Sequence, residues 1–243
     1  MWLPRFACPE CQEPVREEPR SAWRCGSCDL RFERQNGIFR FLTPARASAA
    51  EAFERQYRAV RVREGYARAP EYYRMLPVVA HDDPQAAEWR IRRESYGQFQ
   101  RRALPDVWRG PSHVLDVGAG NGWLSHRLAS FGHRTVAVDR FDDDWDGLGV
   151  CRHYPESLAA VQADFDALPL EPGQFEVVVL NGSLHYSASP AATLRHASRM
   201  LVSGGALVVM DSPMFRKDKD GEAMVERQAQ TLARQHGLHR RVG

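Results

Sequence analysis

The amino-acid sequence predicts an α/β protein built on a doubly wound, mostly parallel sheet, with a small cysteine-containing unit and a helical segment ahead of it. Three observations carry this prediction. Short apolar runs alternate with helical segments from residue 112 onward, a glycine-rich loop follows the first run, and two cysteine pairs stand near the amino terminus. Such alternation places parallel strands side by side, because each helix carries the chain back across the sheet.

The composition predicts one well-buried core with a small appended unit. At 243 residues with 43% hydrophobic residues, the chain is long enough for this arrangement. No apolar run reaches the roughly 20 residues that a membrane span needs, and the amino terminus lacks the profile of a secretory signal. We therefore expect a cytoplasmic protein without membrane contact. The net charge of +2 does not by itself predict a nucleic-acid partner.

Residues 1–45 contain four of the five cysteines, in two CxxC pairs that 13 residues separate. In a cytoplasmic chain this spacing favours a metal site over free or disulfide-paired cysteines. Four thiolates complete a closed tetrahedral site for structural zinc, which a unit of ~40 residues needs because its core is small. Asn36-Gly37 between two alternating apolar runs also predicts a β-hairpin. The sequence therefore predicts a zinc ribbon whose ligands are Cys8, Cys11, Cys25 and Cys28.

Residues 46–110 are predicted to form a helical segment. One helix is expected over 47–66 and a second over 84–104, and the prolines between them exclude one continuous helix. The side chains between the helices either line a lid over a ligand or pack in the core, and packing is favoured. They are Tyr72, Tyr73, Met75 and Leu76.

Residues 111–243 carry the alternating pattern. Strands are expected at 113–118, 135–139, 158–164, 175–181 and 206–211. Helices are expected at 121–132, 190–201 and about 220–235. Short apolar runs with helices between them are typical of βαβ units in a Rossmann-like sheet.

The glycine-rich loop predicts a nucleotide-like ligand. Gly118, Gly120 and Gly122 let the backbone turn off the first strand, so that its N–H groups are expected to point at the ligand. The helix that begins near Asn121 adds its amino-terminal dipole. The spacing is G-x-G-x-G, unlike the G-x-G-x-x-G of dinucleotide-binding loops, and Asp116 stands two residues before it. An acid there suits a ligand with an ammonium and a sulfonium group, as in S-adenosylmethionine (SAM).

Polar residues end the next strands as well. Asp139 is placed to accept both ribose hydroxyls, and Asp164 with Phe165 can read and cover an adenine. Asn181 ends the fourth strand. Each residue alone is compatible with a helix cap or a turn, but together they line the carboxyl edge of one sheet.

Four stretches then resemble the class I SAM-dependent methyltransferases of the type 11-like kind: VLDVGAGNGWLSHRLA, AVDR, ADFDALPLEPGQFEVVVLNGSLHY and RMLVSGGALVVMD. The resemblance covers about residues 111–212 and implies SAM as cofactor. It implies a glycine loop near the methionine end, an acid with its neighbour at the ribose, an acid and an aromatic at the adenine, and an asparagine beside the methionine moiety. The residues implied are Asp116, Gly118, Gly120, Asn121, Gly122, Asp139, Arg140, Asp164, Phe165 and Asn181.

Two further features relate to this family. The cysteine unit is similar to small zinc ribbons that accompany or fuse to methyltransferases, including rRNA guanine methyltransferases. Class I sheets usually end in two further strands, whereas only a helix and LHRRVG follow Asp211 here. We therefore expect strand 206–211 near an uncovered sheet edge and a homodimer paired through that edge.

Methyl transfer does not require a catalytic residue, because a general base is needed only for an acceptor that is not already nucleophilic. The candidates are His185 and Tyr186, although a packing role is favoured for both. Cys151 lacks the context of a nucleophile, and the acidic run 141–146 is expected to be solvated or capping rather than metal-binding.

Three hypotheses stay open at this point. A small-molecule acceptor beneath the helical segment is favoured, and a non-catalytic SAM-binding scaffold is the hypothesis from another class. An rRNA or tRNA acceptor would use the ribbon and the arginine-rich helices. The arginines concerned are Arg55, Arg58, Arg61, Arg63, Arg90, Arg92, Arg93, Arg101 and Arg102.

Overall fold

The computed structural model describes residues 2–103 and 110–236. The strands are β1 (Arg16–Glu18), β2 (Ala22–Arg24), β3 (Arg31–Gln35), β4 (Ile38–Arg40), β5 (His113–Val117), β6 (Arg134–Asp139), β7 (Ala159–Gln162), β8 (Phe175–Asn181) and β9 (Leu201–Met210). The helices are α1 (Pro44–Arg63), α2 (Pro70–Met75), α3 (Ala86–Gln98), α4 (Trp123–Ser130), α5 (Pro190–Arg199) and α6 (Asp218–His236). None of these helices is long and apolar enough to cross a bilayer.

One mixed sheet organises the described residues, in the order β1-β2-β3-β4-β7-β6-β5-β8-β9. In this order, every pair of neighbouring strands between β4 and β9 is parallel. The chain runs outward from β5 to β6 and β7, then returns to the other side of β5 to form β8 and β9. The order therefore reverses at β5, and ligands of such sheets bind outside the carboxyl ends at that reversal. The predicted α/β, Rossmann-like class is confirmed.

The cysteine unit extends this sheet. Asn36 and Gly37 have positive φ angles of 51° and 83°, as a two-residue primed turn requires, and they join antiparallel β3 and β4. Strand β4 then pairs in parallel with β7, with Ile38 opposite Ala160. Because β4 supplies backbone partners to β7, the edge of the Rossmann-like sheet is covered by the chain's own amino-terminal unit.

Aromatic side chains fuse the core of this unit to that of the sheet. Phe41 is fully buried and stacks on Phe6 and Phe32, with ring centroids 4.7 Å and 4.6 Å away. They belong to the same apolar cluster as Val138 and Val161 of the central strands. The division at residues 45 and 110 remains a prediction, but the first unit shares one continuous core with the rest.

Helix α3 and the segment before it pack on one face of the sheet. Tyr73 and Trp89 are almost fully buried in a cluster with Trp123 of α4, as the favoured packing interpretation requires. Met75, by contrast, is 57% exposed. Helix α3 continues into a π-helical turn, Phe99–Ala103, and residue 104 of the predicted helix lies outside the described residues.

Strand β9 lies at the end of the sheet and is longer than predicted. It begins at Leu201, and the register shifts between the pairs Phe175–Leu201 and Val177–Ala206. Among the described residues β9 pairs with β8 alone. The homodimer through this edge remains a prediction, and residues 237–243 lie outside the described part of the chain.

Candidate functional site

Strand alternation brings three predicted polar residues to the same face of the sheet. Asp116 is in register with Ala137 of β6 and with Val179 of β8. Because side chains of a strand alternate between faces, Asp139 and Asn181, each two residues further on, share the face of Asp116. That face carries α3 and α4, and the three residues stand at neighbouring carboxyl ends around the reversal at β5.

The glycine loop turns back over β6, which differs from the sequence expectation. Its N–H groups were expected to point at a ligand, but those of Gly118 and Ala119 donate to the Val138 carbonyl. The Gly120 N–H donates to Asp139 Oδ2 at 2.7 Å. The loop follows this path because its N–H groups lie above the end of β6, where carbonyl and carboxylate acceptors are available.

Close packing explains two of the three glycines. All three have positive φ, between 56° and 74°. A Cβ atom at Gly118 would lie 2.3 Å from Ser183 Cβ, and one at Gly122 would lie 2.6 Å from Cys151 Sγ. Gly120 differs, because the nearest atom to its added Cβ is 3.8 Å away. Gly120 is therefore the loop position with room beside it.

Asp116 is a deeply buried carboxylate that is only half satisfied. It is 1% exposed, and its Oδ2 accepts a hydrogen bond from Ser125 Oγ at 2.9 Å. No donor among the described residues reaches Oδ1. Burial raises the pKa of Asp116 to about 7, and the nearby Asp139 charge adds to that rise. A cationic group beside Oδ1 would satisfy both the hydrogen bond and the charge.

Asp139 is oriented by the backbone. Its Oδ2 accepts from Gly120 N and its Oδ1 from Phe141 N, at 2.7 Å and 2.8 Å. Burial still raises its pKa above the ordinary value. Each oxygen retains a lone pair, so this carboxylate can accept two more hydrogen bonds in a fixed direction.

Asn121 lies just before helix α4 and supplies hydrogen bonds at its start. Its side-chain oxygen accepts from Trp123 N at 3.2 Å, and its main-chain oxygen accepts from Tyr154 OH at 2.9 Å. The amide nitrogen lies 3.4 Å from Asp146 Oδ1. Burial raises the pKa of Asp146 to about 7, although Arg61 opposes that shift. Asn121 thus connects the loop to the acidic segment after β6.

Asp164 and its surroundings form the next edge of the site. Asp164 Oδ1 accepts from Asp166 N at 3.0 Å, so the side chain caps the short 3-10 turn Phe165–Ala167. Its Oδ2 lies 3.2 Å from Arg140 Nη1 and 3.5 Å from Arg46 Nη1. Phe165 is half-buried against the main apolar cluster. The predicted adenine residues therefore also have structural contacts.

The segment after β8 carries the predicted catalytic candidates. Asn181 Oδ1 is buried and has no hydrogen-bond partner among the described residues. His185 and Tyr186 follow in a 3-10 turn, Leu184–Tyr186, with their ring centroids 4.2 Å apart. Both side chains are exposed, Tyr186 to 46%. The packing role that the sequence favoured for these two side chains therefore lies at the protein surface and not in the core.

Helix α1 covers this edge, which the sequence did not indicate. The Tyr57 ring stacks on Phe141 at 4.7 Å and meets Tyr186 edge-on at 6.1 Å. Arg61, one turn later, lies 3.3 Å from Asp146 Oδ2. Tyr57 and Arg61 stand four residues apart on one helix face, but that spacing does not reveal which surface the face covers.

The acidic run and Cys151 have structural roles. Asp142 pairs with Arg40 and Arg58, while Asp143 Oδ1 accepts three backbone N–H bonds of the following turn. Burial raises the pKa of Cys151 to about 12, which keeps the thiol neutral and poorly nucleophilic. Both observations agree with the interpretation drawn from the sequence.

The four ribbon cysteines converge on one point. Their sulfur atoms all lie within 4.8 Å of one another. Gln12 and Asp29, each next to the second cysteine of its pair, have positive φ angles of 65° and 57°, as knuckle turns require. Four clustered thiols are the donor set that a tetrahedral zinc ion takes, so the residues fit this metal.

Comparison with known proteins gives a family match. Residues 115–209 match the profile of the family described as a methyltransferase domain. A malonyl-[acyl-carrier protein] O-methyltransferase of Hahella chejuensis is 29% identical over 99 residues, covering 40% of this chain and 36% of the relative. A tRNA U34 carboxymethyltransferase of Desulforapulum autotrophicum is 32% identical over 99 residues, covering 40% and 30%.

One relative aligns over most of the chain. An uncharacterised chloroplastic methyltransferase of Arabidopsis thaliana is 24% identical over 239 residues, covering 84% of this chain and 60% of the relative. The chain thus spans between 30% and 60% of the length of these three relatives. A solved putative methyltransferase of Bacillus halodurans aligns with a TM-score of 0.48 at 26% identity, covering 57% of this chain and 60% of the other.

The strand order and the strand-end carboxylates agree with this family. Asp116 and Asp139 end adjacent strands at the reversal of the sheet, inside the matched segment. Residues 115–209 are thus similar to the methyltransferase-domain family and lie within a Rossmann-like sheet.

Proposed function

We propose that the chain is a SAM-dependent methyltransferase with a small-molecule acceptor. The observation that carries the proposal is the buried Asp116 Oδ1 atom, which has no hydrogen-bond partner among the described residues at the edge where Asp139 is held ready as an acceptor. Burying a half-satisfied carboxylate is costly, and a cationic ligand removes that cost. SAM has an ammonium group that can donate to Asp116 and balance its charge, and ribose hydroxyls for Asp139.

The residues present fit this cofactor, which supplies an electrophilic methyl group on its sulfonium when bound. Asp116 and Asp139 would hold its cationic and ribose ends, and Gly120 leaves room beside the loop. Asp164 and Phe165 would line the adenine side, with Arg140 holding Asp164 in place. Tyr57 and Arg61 of α1 would exclude water from the site.

The chain's remaining task is to place the acceptor. Asn181 Oδ1, buried and without a partner in the described residues, would accept a hydrogen bond from it. His185 and Tyr186 stand at the open end of the same segment, where they can orient the acceptor. Although the His185 side chain is partly accessible, desolvation of its ring lowers its pKa, which favours the neutral imidazole that can take a proton from an acceptor that needs deprotonation.

A small acceptor is favoured over RNA because many of the arginines proposed for RNA binding are engaged within the protein. Arg58 and Arg61 pair with Asp142 and Asp146 of the acidic segment. Arg55 and Arg92 pair with acids on their own helices. These acids neutralise positive charge that RNA phosphates would require. The relatives' names include both small-molecule and tRNA enzymes, and a cytoplasmic location stays a prediction.

We further propose that the four ribbon cysteines bind one structural zinc ion. With all four positions filled by thiolates, the metal has no open coordination site for catalysis. Its role is to hold the two knuckles together, because the ribbon's short strands supply little core of their own.

Labelled methyl transfer tests the proposed activity and its acceptor. The protein is incubated with methyl-labelled SAM and either dialysable metabolites or purified cellular RNA. We expect label in the metabolites and none in the RNA, because Arg55, Arg58, Arg61 and Arg92 of the arginine-rich helices already pair with acids. Label in RNA would contradict the small-molecule acceptor. Bound SAM with no label in either fraction would favour the scaffold hypothesis instead.

Replacing the ribose acceptor should remove most cofactor affinity. We expect Asp139→Ala to weaken SAM binding by on the order of 10- to 100-fold, since two hydrogen bonds to a charged group are lost. Isothermal titration calorimetry measures the change. Asp144→Ala is the matched control, because this exposed acid of the same segment pairs with Arg152 away from the loop. Equal affinity for Asp139→Ala and the control would refute the ribose placement.

Cofactor affinity should also depend on pH. Asp116 has a raised pKa of about 7, so the carboxylate is ionised above that pH and progressively protonated below it. SAM binding should therefore weaken as the pH falls from about 8 to about 6, as the attraction to the cation is lost. Burial also raises the pKa of the neighbouring Asp139 and raises that of Asp146 to about 7, whereas the Cys151 thiol stays neutral.

The variant Asp116→Asn separates these groups. It keeps the shape of the side chain and both neighbouring acids, so the pH dependence that remains belongs to Asp139 and Asp146. We expect titrations of this variant to give weaker binding with a smaller pH dependence across the same range, because Asp146 still titrates there. A pH profile identical to that of the unmodified protein would show that Asp116 is not the responsible group.

The zinc proposal predicts both stoichiometry and stability. We expect one zinc ion per chain by mass spectrometric metal analysis, and less than one in Cys28→Ser. Removal by a chelator should lower the melting temperature by on the order of 10 °C, because the ribbon shares its core with the sheet. Cys151→Ser is the control and should retain the metal. Full stability after complete metal removal would contradict a structural ion.

A further inference from the structure

The first cysteine knuckle is tied to helix α1 by a carboxylate that the proposed function does not use. Glu10 lies between Cys8 and Cys11. Its Oε1 accepts from Thr43 Oγ1 at 2.7 Å, and Thr43 is the residue that precedes α1. The same carboxylate accepts from Arg46 Nε at 3.1 Å and from Arg46 Nη2 at 3.4 Å. Two oxygens facing two guanidinium nitrogens fix the relative orientation of the groups.

Arg46 also reaches the predicted adenine edge. Its Nη1 lies 3.5 Å from Asp164 Oδ2, the same oxygen that Arg140 Nη1 approaches at 3.2 Å. Arg140 in addition donates to the main-chain oxygen of Arg46 and, through Nε, to Glu54 Oε1 at 2.8 Å. The Arg46 guanidinium thus joins the knuckle to Asp164, and the Arg140 guanidinium connects Asp164 to Glu54 of α1.

The inner part of this network is shielded from solvent. The side chains of Arg140 and Asp164 are 15% and 19% exposed, against 30% for Arg46 and 35% for Glu10. Partly buried ion pairs are screened less than surface pairs, and a branched network restricts its members more than an isolated pair does. Loss of Arg46 would leave Asp164 with Arg140 alone and would free the knuckle carboxylate.

We propose that Glu10 and Arg46 are positioning residues, which transmit the geometry of the cysteine knuckle to Asp164 and Arg140 at the adenosine-binding edge. The inference rests on the proposed SAM site. Strand pairing between β4 and β7 fixes the ribbon beside the sheet, while the Glu10–Arg46–Asp164 connection fixes side chains above the strand ends. Metal in the knuckle therefore favours the orientation of Asp164 that binds the cofactor.

A consequence is reciprocal coupling between two sites. If the ordered knuckle raises adenosyl affinity, a bound adenosyl ligand raises metal affinity by the same factor. Typical couplings of this kind change affinity about 5- to 150-fold. A network of two arginines and partly exposed acids should lie toward the lower end of that range.

The test compares zinc-loaded variants of the full chain. We expect Arg46→Met and the isosteric Glu10→Gln to bind S-adenosylhomocysteine about 5- to 20-fold more weakly in calorimetric titration. Arg31→Met is the matched control, since Arg31 pairs with Glu18 and Glu33 inside the ribbon. Its affinity should equal that of the unmodified protein. Chelation should weaken binding by the unmodified protein by a larger factor than binding by Arg46→Met.

Hydrogen–deuterium exchange supplies a readout that needs no ligand. In the zinc-loaded Arg46→Met protein we expect faster exchange over residues 163–167 and unchanged exchange over Arg16–Arg24. Exchange over 163–167 that equals the Arg31→Met control would overturn the inference, as would unchanged S-adenosylhomocysteine affinity in both variants. Should Arg46→Met fail to fold, Glu10→Gln decides alone, because it keeps the size of the side chain.

The two proposals fail in different ways. If the unmodified protein does not bind S-adenosylhomocysteine, the proposed function fails, and the exchange data still decide whether the knuckle is connected to Asp164. If it binds the ligand and neither variant differs from Arg31→Met, the methyltransferase proposal stands and the positioning role is refuted.

Discussion

Two carboxylates buried at the ends of adjacent strands are the constraint on which the site depends. Asp116 and Asp139 are 1% and 8% exposed, and the charge of Asp139 adds to the cost of ionising Asp116. Asp139 is stabilised by the N–H groups of Gly120 and Phe141, which requires the loop to turn back over β6. Within the described part of the chain, Ser125 alone donates to Asp116, whose Oδ1 therefore keeps an unmet need for positive charge.

That constraint explains the glycines and the start of α4. Gly118 and Gly122 allow the loop to pack against Ser183 and Cys151, and this packing keeps it close to the two carboxylates. Asn121 then begins the helix by accepting from Trp123 N. The loop N–H groups thus bind carbonyl and carboxylate oxygens of the protein itself. The atoms that can still contact a ligand are Asp116 Oδ1 and the free lone pairs of Asp139, and the space for it lies beside Gly120.

The ribbon and helix α1 are joined to the sheet that carries these two carboxylates. Strand β4 continues the sheet beyond β7, and the aromatic rings around Phe41 continue its core. Helix α1 follows β4 closely, so it is carried across the carboxyl edge where Tyr57 meets Phe141 and Arg46 meets Asp164. A zinc-bound knuckle would thereby reach the adenosine side through one carboxylate, Glu10.

The sequence alone determined the features that depend on local patterns. Strand and helix alternation follows from apolar periodicity, the hairpin at Asn36-Gly37 from backbone preference, and the clustering of four cysteines from CxxC spacing. The alignment of Asp116, Asp139 and Asn181 also follows, because parallel strands end at one edge and their side chains alternate.

Only the tertiary structure decided what those residues touch. The Gly120 N–H reaches Asp139, 19 positions further along the chain. The pairing of β4 with β7 and the contacts of Arg46, Tyr57 and Arg61 join residues about 80 to 120 positions apart. Periodicity reports which face of a helix is apolar but carries no information about the surface it meets. Helix α1 has a weakly patterned, arginine-rich sequence, and its place over the site is set by the short connection from β4 and by ion pairs with Asp146 and Arg140.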